Sequence, residues 1–134
     1  EEMKYGYRKS RLMEEEAIII SVALKLAPGD KNQIVSKMKD LNDRRRQKQP
    51  LDYPSAGSFF KRPPGNYAGT LIQAAGLKGV SVGGAMVSPL HAGFIINRGN
   101  ATAGDIITLM ELVQERVYED SGIRLEPEVR IIGD

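Results

Sequence analysis

Cysteine is absent from these 134 residues, and histidine occurs once, as His91. The first absence excludes disulfide scaffolds, thiolate metal sites and cysteine nucleophiles. The second excludes a multi-histidine zinc site, so no metal is expected, and makes any Ser-His-Asp triad depend on one residue. Long hydrophobic runs are missing as well. Ala17 to Ala23 is the longest candidate, far short of the roughly 20 residues that cross a bilayer as a helix. The acidic start, Glu1-Glu2, has no apolar stretch close behind it and does not resemble a secretory leader. Charge of one sign is lacking too: 19 Lys+Arg stand against 17 Asp+Glu, a formal net charge of +2, which by itself does not point to nucleic acid. What remains is 41% hydrophobic and 27% charged, the composition of a soluble, cytoplasmic globular chain with room for one domain.

Residues Ala17 to Leu26 are β-branched and alternate at their end, which predicts a well-buried strand. Pro28-Gly29 stops it and Asp30 reads as a helix N-cap. Ile34, Val35, Met38 and Leu41 then follow at helical spacing, predicting an amphipathic helix from about Lys31 to Gln47. The segment Gln49 to Gly57 holds two prolines and a glycine and reads as irregular. Tyr67 to Ala75 reads as a short helix stopped by Gly76. Two strands are expected at Val80 to Val87 and Ala92 to Asn97, around a turn at Ser88-Pro89-Leu90. Thr102 and Asp105 resemble a capping pair for a long helix marked by Ile106, Leu109, Met110, Val113 and Val117 and ending near Gly122. A closing strand, Arg124 to Ile132, carries Pro127 and so a free edge. Without a βαβ rhythm, these elements favour an α+β fold, a mixed sheet with helices packed against it.

Four places carry chemistry. Gly57-Ser58 follows the proline-rich loop, where a glycine permits close backbone approach and leaves a hydroxyl free to face a cleft, although a plain turn serine is commoner. Glu126, Glu128 and Arg130 share one face of the closing strand by alternation, as a solvated edge also would. Tyr5 to Ser10 is polar and aromatic with no packing role. Lys78 to Gly84 is glycine-rich enough for amides to approach a phosphate, but Lys78 precedes the glycines and the segment is no P-loop. His91 fits a structural role as well as a ligand contact. The run Arg44, Arg45, Arg46 and Lys48 lies where cations oppose the negative end of a helix dipole.

The order of Tyr7-Arg8, Ser10, Lys48, Pro50, Ala56 to Lys61, Pro63, Ala75 to Gly79, Gly83 to Ala85, His91 to Phe94, Asn97 and Leu125 to Arg130 resembles the C-terminal part of the UDP-N-acetylenolpyruvoylglucosamine reductases. The resemblance is to their second, shorter type, because Leu26 runs through Pro28-Gly29 into a helix with no inserted tyrosine loop. It implies residues 1–27 as the last piece of an FAD-binding domain, ending in its last strand, and residues 28–134 as a substrate-binding domain. The implied reaction reduces UDP-N-acetylglucosamine enolpyruvate to UDP-N-acetylmuramate for peptidoglycan synthesis, with NADPH reducing a bound FAD. The flavin-binding region itself is expected elsewhere, so no cofactor-binding residue is assigned and the chain alone is expected not to turn over.

By this resemblance Ser58 is the general acid that protonates the carbanionic carbon, a proton transfer that suits even a hydroxyl when the base is that strong. Arg8 and Glu128 match the remaining catalytic pair: the arginine fork for the substrate carboxylate, a protonated Glu128 for the dianionic intermediate. Residue chemistry alone leaves Glu126 as an equal rival; only the resemblance chooses. Lys48, Lys78 and Arg62 match diphosphate positions, and Tyr7 and His91 match substrate contacts. Two readings from other classes stand beside it: a small RNA- or anion-binding module using Arg44, Arg45, Arg46 and Lys48, and a fragment with an interaction role and no ligand. Phe59 and Phe60 adjoin prolines instead of forming a stacking platform with the basic run, which speaks against RNA.

Overall fold

Asp30 starts the first helix as a cap should, its Oδ1 accepting the Gln33 amide at 2.8 Å. The computed structural model describes residues 3–133; Glu1 and Glu2, read above as an acidic start, lie outside the described residues. The chain divides into two units, one up to Ile34 and one from Val35 onward.

In the first unit, Gly6 and Lys9 exchange backbone hydrogen bonds (Gly6 N–H to Lys9 O, 2.8 Å; Lys9 N–H to Gly6 O, 3.2 Å), which puts Tyr7 and Arg8 at the tip of a tight turn. A 3-10 turn, Arg11–Met13, follows. The acidic run is tied locally, Glu14 to Lys9 at 3.3 Å and Glu15 to Arg11. The strand expected from Ala17 to Leu26 is not formed: these residues join no ladder, and Ile18 and Ile20 are more than nine-tenths exposed. Strand propensity needs a neighbouring strand to become structure, and no strand among the described residues pairs with this segment.

Helix α1, Lys31–Lys48, keeps the expected bounds within one residue but buries none of its side chains, and Ile34, Val35, Met38 and Leu41 stay about half exposed. The second unit continues with β1 (Ser55–Ser58), α2 (Ala68–Ala74), β2 (Ser81–Val82), β3 (Ala85–Val87), β4 (Phe94–Asn97) and α3 (Ala103–Ser121). The α+β class holds. The described strands, however, form a four-stranded sheet in the order β1-β4-β3-β2 that is antiparallel throughout, not mixed.

Three further expectations about strands change. The stretch from Val80 to Val87 is a hairpin, because Gly83 at φ 52° turns the chain between Val82 and Ala85, as two-residue hairpin loops favour. The segment expected to be irregular contributes β1, an edge strand on β4. The closing strand shrinks to one bridge, Phe60 with Pro127, since Pro127 offers no donor and the ladder stops around it.

Thr102 and Asp105 form a reciprocal capping box at the start of α3, and Gly122 at φ 68° ends it. Leu109, Met110, Val113 and Val117 are buried from α3, and α3 packs on β2, β3 and α2. Ile72, Ala85, Val87, Ile95, Phe59, Phe60 and Leu125 join them in that core. Each large aliphatic side chain withdrawn from water there contributes about 1.5–3 kcal/mol, enough to hold the short strands that frame the site.

Candidate functional site

Ser58 owes its position to an irregularity in β1. Ser55 pairs with Ile96 and Ser58 with Phe94, so β1 fits one more residue than β4 between those pairs. Gly57 takes the left-handed conformation this demands, φ 81°. A glycine bulge of this kind twists the strand and re-aims the side chain that follows. Here Ser58 is left exposed while Phe59 and Phe60 turn into the core.

The exposed serine lines a groove of about 530 Å³ together with Arg45, Gln49, Leu51, Tyr53 and Phe94. Arg45 Nε donates to Gln49 Oε1 at 3.0 Å. The proline-bounded loop is itself fixed, with Tyr53 N–H donating to Pro50 O at 3.3 Å and Asn97 N–H to Pro54 O at 2.9 Å. The groove's lining therefore combines apolar side chains, Leu51 and Phe94, with a cation, Arg45, and the Ser58 hydroxyl. Sequence reasoning passed over Leu51 and Tyr53. Their signal was faint: apolar side chains in a loop too proline-rich to give them a periodic face. Within the basic run, Arg44 is ion-paired to Asp40 at 2.9 Å while Arg45 lines the groove. Lys48 is exposed at the last position of α1.

Glu126 and Glu128 differ in surroundings. The segment holding them runs antiparallel to Phe59–Lys61, with Glu128 N–H donating to Phe59 O at 2.9 Å and Lys61 N–H to Glu126 O at 2.8 Å. Glu126 is exposed, and its carboxylate takes the Lys61 ammonium at 3.1 Å. Glu128 is partly buried and is tied to the residue directly after Ser58. Arg8 belongs to the first unit, where its guanidinium lies 5.5 Å from the Tyr7 ring centre and its φ is 55°. Such a backbone costs a side-chain-bearing residue roughly 1–2 kcal/mol and holds Arg8 at the turn's tip.

Of the remaining candidates, Arg62 is exposed in the loop after Phe60, its guanidinium 4.0 Å above the Tyr67 ring. Lys78 is exposed between α2 and β2. His91 is partly buried, stacks edge-on against Phe94 at 4.9 Å, and accepts the Gly93 amide at Nδ1, 3.0 Å. That bond puts the neutral ring's proton on Nε2.

The glycine-rich stretch Lys78 to Gly84 is not a phosphate cradle. Asp105 occupies the space: a Cβ on Gly83 would sit 2.5 Å from its carboxylate, and Gly84 N–H donates to Asp105 Oδ2 at 3.4 Å. Backbone donation from Thr102 and Gly84 holds the Asp105 carboxyl below the usual carboxylate range. With the Gly84 amide serving that carboxylate and the space beside Gly83 filled by it, this turn does not fit a dinucleotide phosphate. Among the described residues no group of three or more His, Cys, Asp or Glu could hold a metal ion, and no helix is long and apolar enough to cross a membrane.

Comparison with known proteins bears on this geometry. A family model described as "UDP-N-acetylenolpyruvoylglucosamine reductase, C-terminal domain" matches residues 49–132. A UDP-N-acetylenolpyruvoylglucosamine reductase from Caldanaerobacter subterraneus subsp. tengcongensis is 55% identical over all of this chain, and one from Geobacillus thermodenitrificans 53%. The chain spans 44% of the length of each. The crystal structure of the reductase from Thermus caldophilus superposes with a TM-score of 0.76 at 41% identity, covering 96% of this chain and 46% of that one. The matched span contains Gly57-Ser58, the groove loop and Glu126 to Arg130, and the chain belongs to the UDP-N-acetylenolpyruvoylglucosamine reductase family.

Proposed function

We propose that this chain is the substrate-binding and proton-donating portion of a flavin-dependent reductase that converts UDP-N-acetylglucosamine enolpyruvate to UDP-N-acetylmuramate, a cytoplasmic step toward peptidoglycan. The observation that carries the reading is Ser58, turned outward by the Gly57 bulge onto a groove lined by Leu51, Phe94 and the cation Arg45, in a chain of this family. Residues 1–27 close the flavin-binding domain in this reading, and residues 28–134 form the substrate domain. FAD, held by other parts of the longer flavoprotein and reduced by NADPH, would supply the hydride.

The chain's own residues bind, orient and protonate. Hydride addition at the terminal carbon of the enolpyruvyl group leaves negative charge on the adjacent carbon and its carboxylate. Ser58 gives its hydroxyl proton to that carbon and recovers one from solvent. Arg8 supplies a planar fork for the carboxylate, and Glu128 donates a hydrogen bond to the charge that grows there. Lys48, Lys78 and Arg62 meet the diphosphate, while Tyr7 and His91 contact the rest of the substrate. Arg45 joins them as the cation beside Ser58 in the groove.

The test uses the full flavoprotein carrying this chain. Its flavin is reduced with NADPH, excess reductant is removed, the enolpyruvyl UDP-sugar is added anaerobically, and flavin absorbance is followed. Reoxidation is expected to be fast in the wild type and several decades slower in Ser58→Ala, with substrate affinity kept. Equal rates in both would remove Ser58 from its role. A protein that binds no flavin, or whose reduced flavin ignores the substrate, would end the reading.

A further inference from the structure

Three cations of the second unit face carboxylates: Arg44 faces Asp40, Lys61 faces Glu126, and Arg116 faces Glu119. Arg62 differs. Its Nε donates to the Asn66 carbonyl at 3.3 Å, and its guanidinium lies 4.0 Å from the centre of the Tyr67 ring. Both partners are uncharged, so they fix the group in space without cancelling its charge.

The platform beneath it is stiff. Pro63 is buried, Asn66 N–H donates to Pro63 O at 3.2 Å, and Gly65 turns the chain at φ 70°. Tyr67 stands at the N-cap position of α2, where its carbonyl accepts from Thr70 and Leu71 at 3.1 and 3.2 Å. The next residue, Ala68, is buried, which ties the ring's backbone to the core. Arginine on a flexible loop loses entropy when it grips an anion; one already stacked on an aromatic face and bonded to a carbonyl loses less.

We infer that Tyr67 is a positioning residue, holding the Arg62 guanidinium by cation–π stacking so that it meets the diphosphate of the UDP-sugar preorganised. The inference rests on the reading of Arg62 as a diphosphate contact given above. Tyr67 touches no reacting atom, so its effect falls on anion binding and leaves the hydride and proton transfers alone.

The experiment compares wild type, Tyr67→Phe, Tyr67→Leu and Arg62→Ala in the full flavoprotein, reading inhibition by UDP and by uridine together with kcat and KM. Tyr67→Leu is expected to weaken UDP roughly three- to tenfold, to raise KM with kcat unchanged, and to leave uridine inhibition where it was. Tyr67→Phe keeps a ring face and should restore UDP inhibition. In Arg62→Ala, a further change at Tyr67 should have no effect on UDP. Equal weakening of UDP and uridine, or no rescue by phenylalanine, overturns the positioning role. UDP inhibition untouched in Tyr67→Leu overturns it too, while leaving the parent reading in place. A wild-type protein that UDP does not inhibit sinks that reading and this inference together.

Discussion

Two glycine turns of the same unit are used in opposite ways. At Gly83-Gly84 the issue is space: a Cβ on Gly84 would lie 2.5 Å from the Gly99 carbonyl and the Ala101 amide, and one on Gly83 would strike Asp105. At Gly57 a Cβ would meet nothing within 4 Å, and what glycine supplies is a φ of 81°. The first turn is closed by the chain's own carboxylate, and the second opens onto a groove. The lesson is that a glycine-rich stretch advertises close approach without saying to what. Where the chain itself fills the gap the role is structural; where the backbone is merely bent, the freed side chain has somewhere to act.

This contrast predicts that the open turn fails in activity and the closed turn in stability. The largest effect is expected from Glu128→Gln in the full flavoprotein, a loss of several decades in flavin reoxidation by the enolpyruvyl substrate. Next comes Gly84→Ala, whose methyl has only backbone to displace. Urea unfolding should show a loss of about 3 kcal/mol, against about 1–2 kcal/mol for Gly57→Ala, where only the left-handed backbone is penalised. A reversed order of these two would break the contrast between space and conformation.

A smaller effect belongs to pH. Because Asp105 is held below the usual carboxylate range in the folded chain, its stabilisation is complete above that range and is lost as pH falls through its depressed value. Unfolding midpoints of wild type should therefore fall more steeply in acid than those of Asp105→Asn, and parallel curves would remove the closed turn's electrostatic lock. The smallest effect is expected from Glu126→Gln. Its ion pair with Lys61 is exposed on both sides, so stability should change by under about 1 kcal/mol, with reoxidation kept. Loss of reoxidation in Glu126→Gln in place of Glu128→Gln would exchange the roles of the two carboxylates.

Much of the helical content was legible from neighbouring residues. Asp30 and the spacing from Ile34 to Leu41 located α1, and Thr102, Asp105 and Gly122 bounded α3. Strands were less so. Ala17 to Leu26 has every local mark of a strand and forms none here, while Ser55–Ser58, hidden among prolines, forms one. The site follows the same division. Gly57-Ser58 stood out as a motif, but the groove beside it needs Arg45 from α1 and Phe94 from β4, which no spacing announces.

By itself, then, the sequence determined what acts within a turn or two: helix caps, the basic run, the glycine before the serine, and a family resemblance that extends along the chain. The tertiary structure decided what depends on distant partners. It paired Phe59–Lys61 with Glu126–Glu128, across 65 positions for the Lys61–Glu126 contact, and it sent Asp105 back 21 residues to close the glycine hairpin. It also gave Ser58 its bulge, because the extra residue of β1 exists only in register with β4. The physical reason is range: caps and helical faces are satisfied by neighbours in the chain, whereas strand register, ion pairing and groove walls are satisfied only by whatever the fold brings alongside.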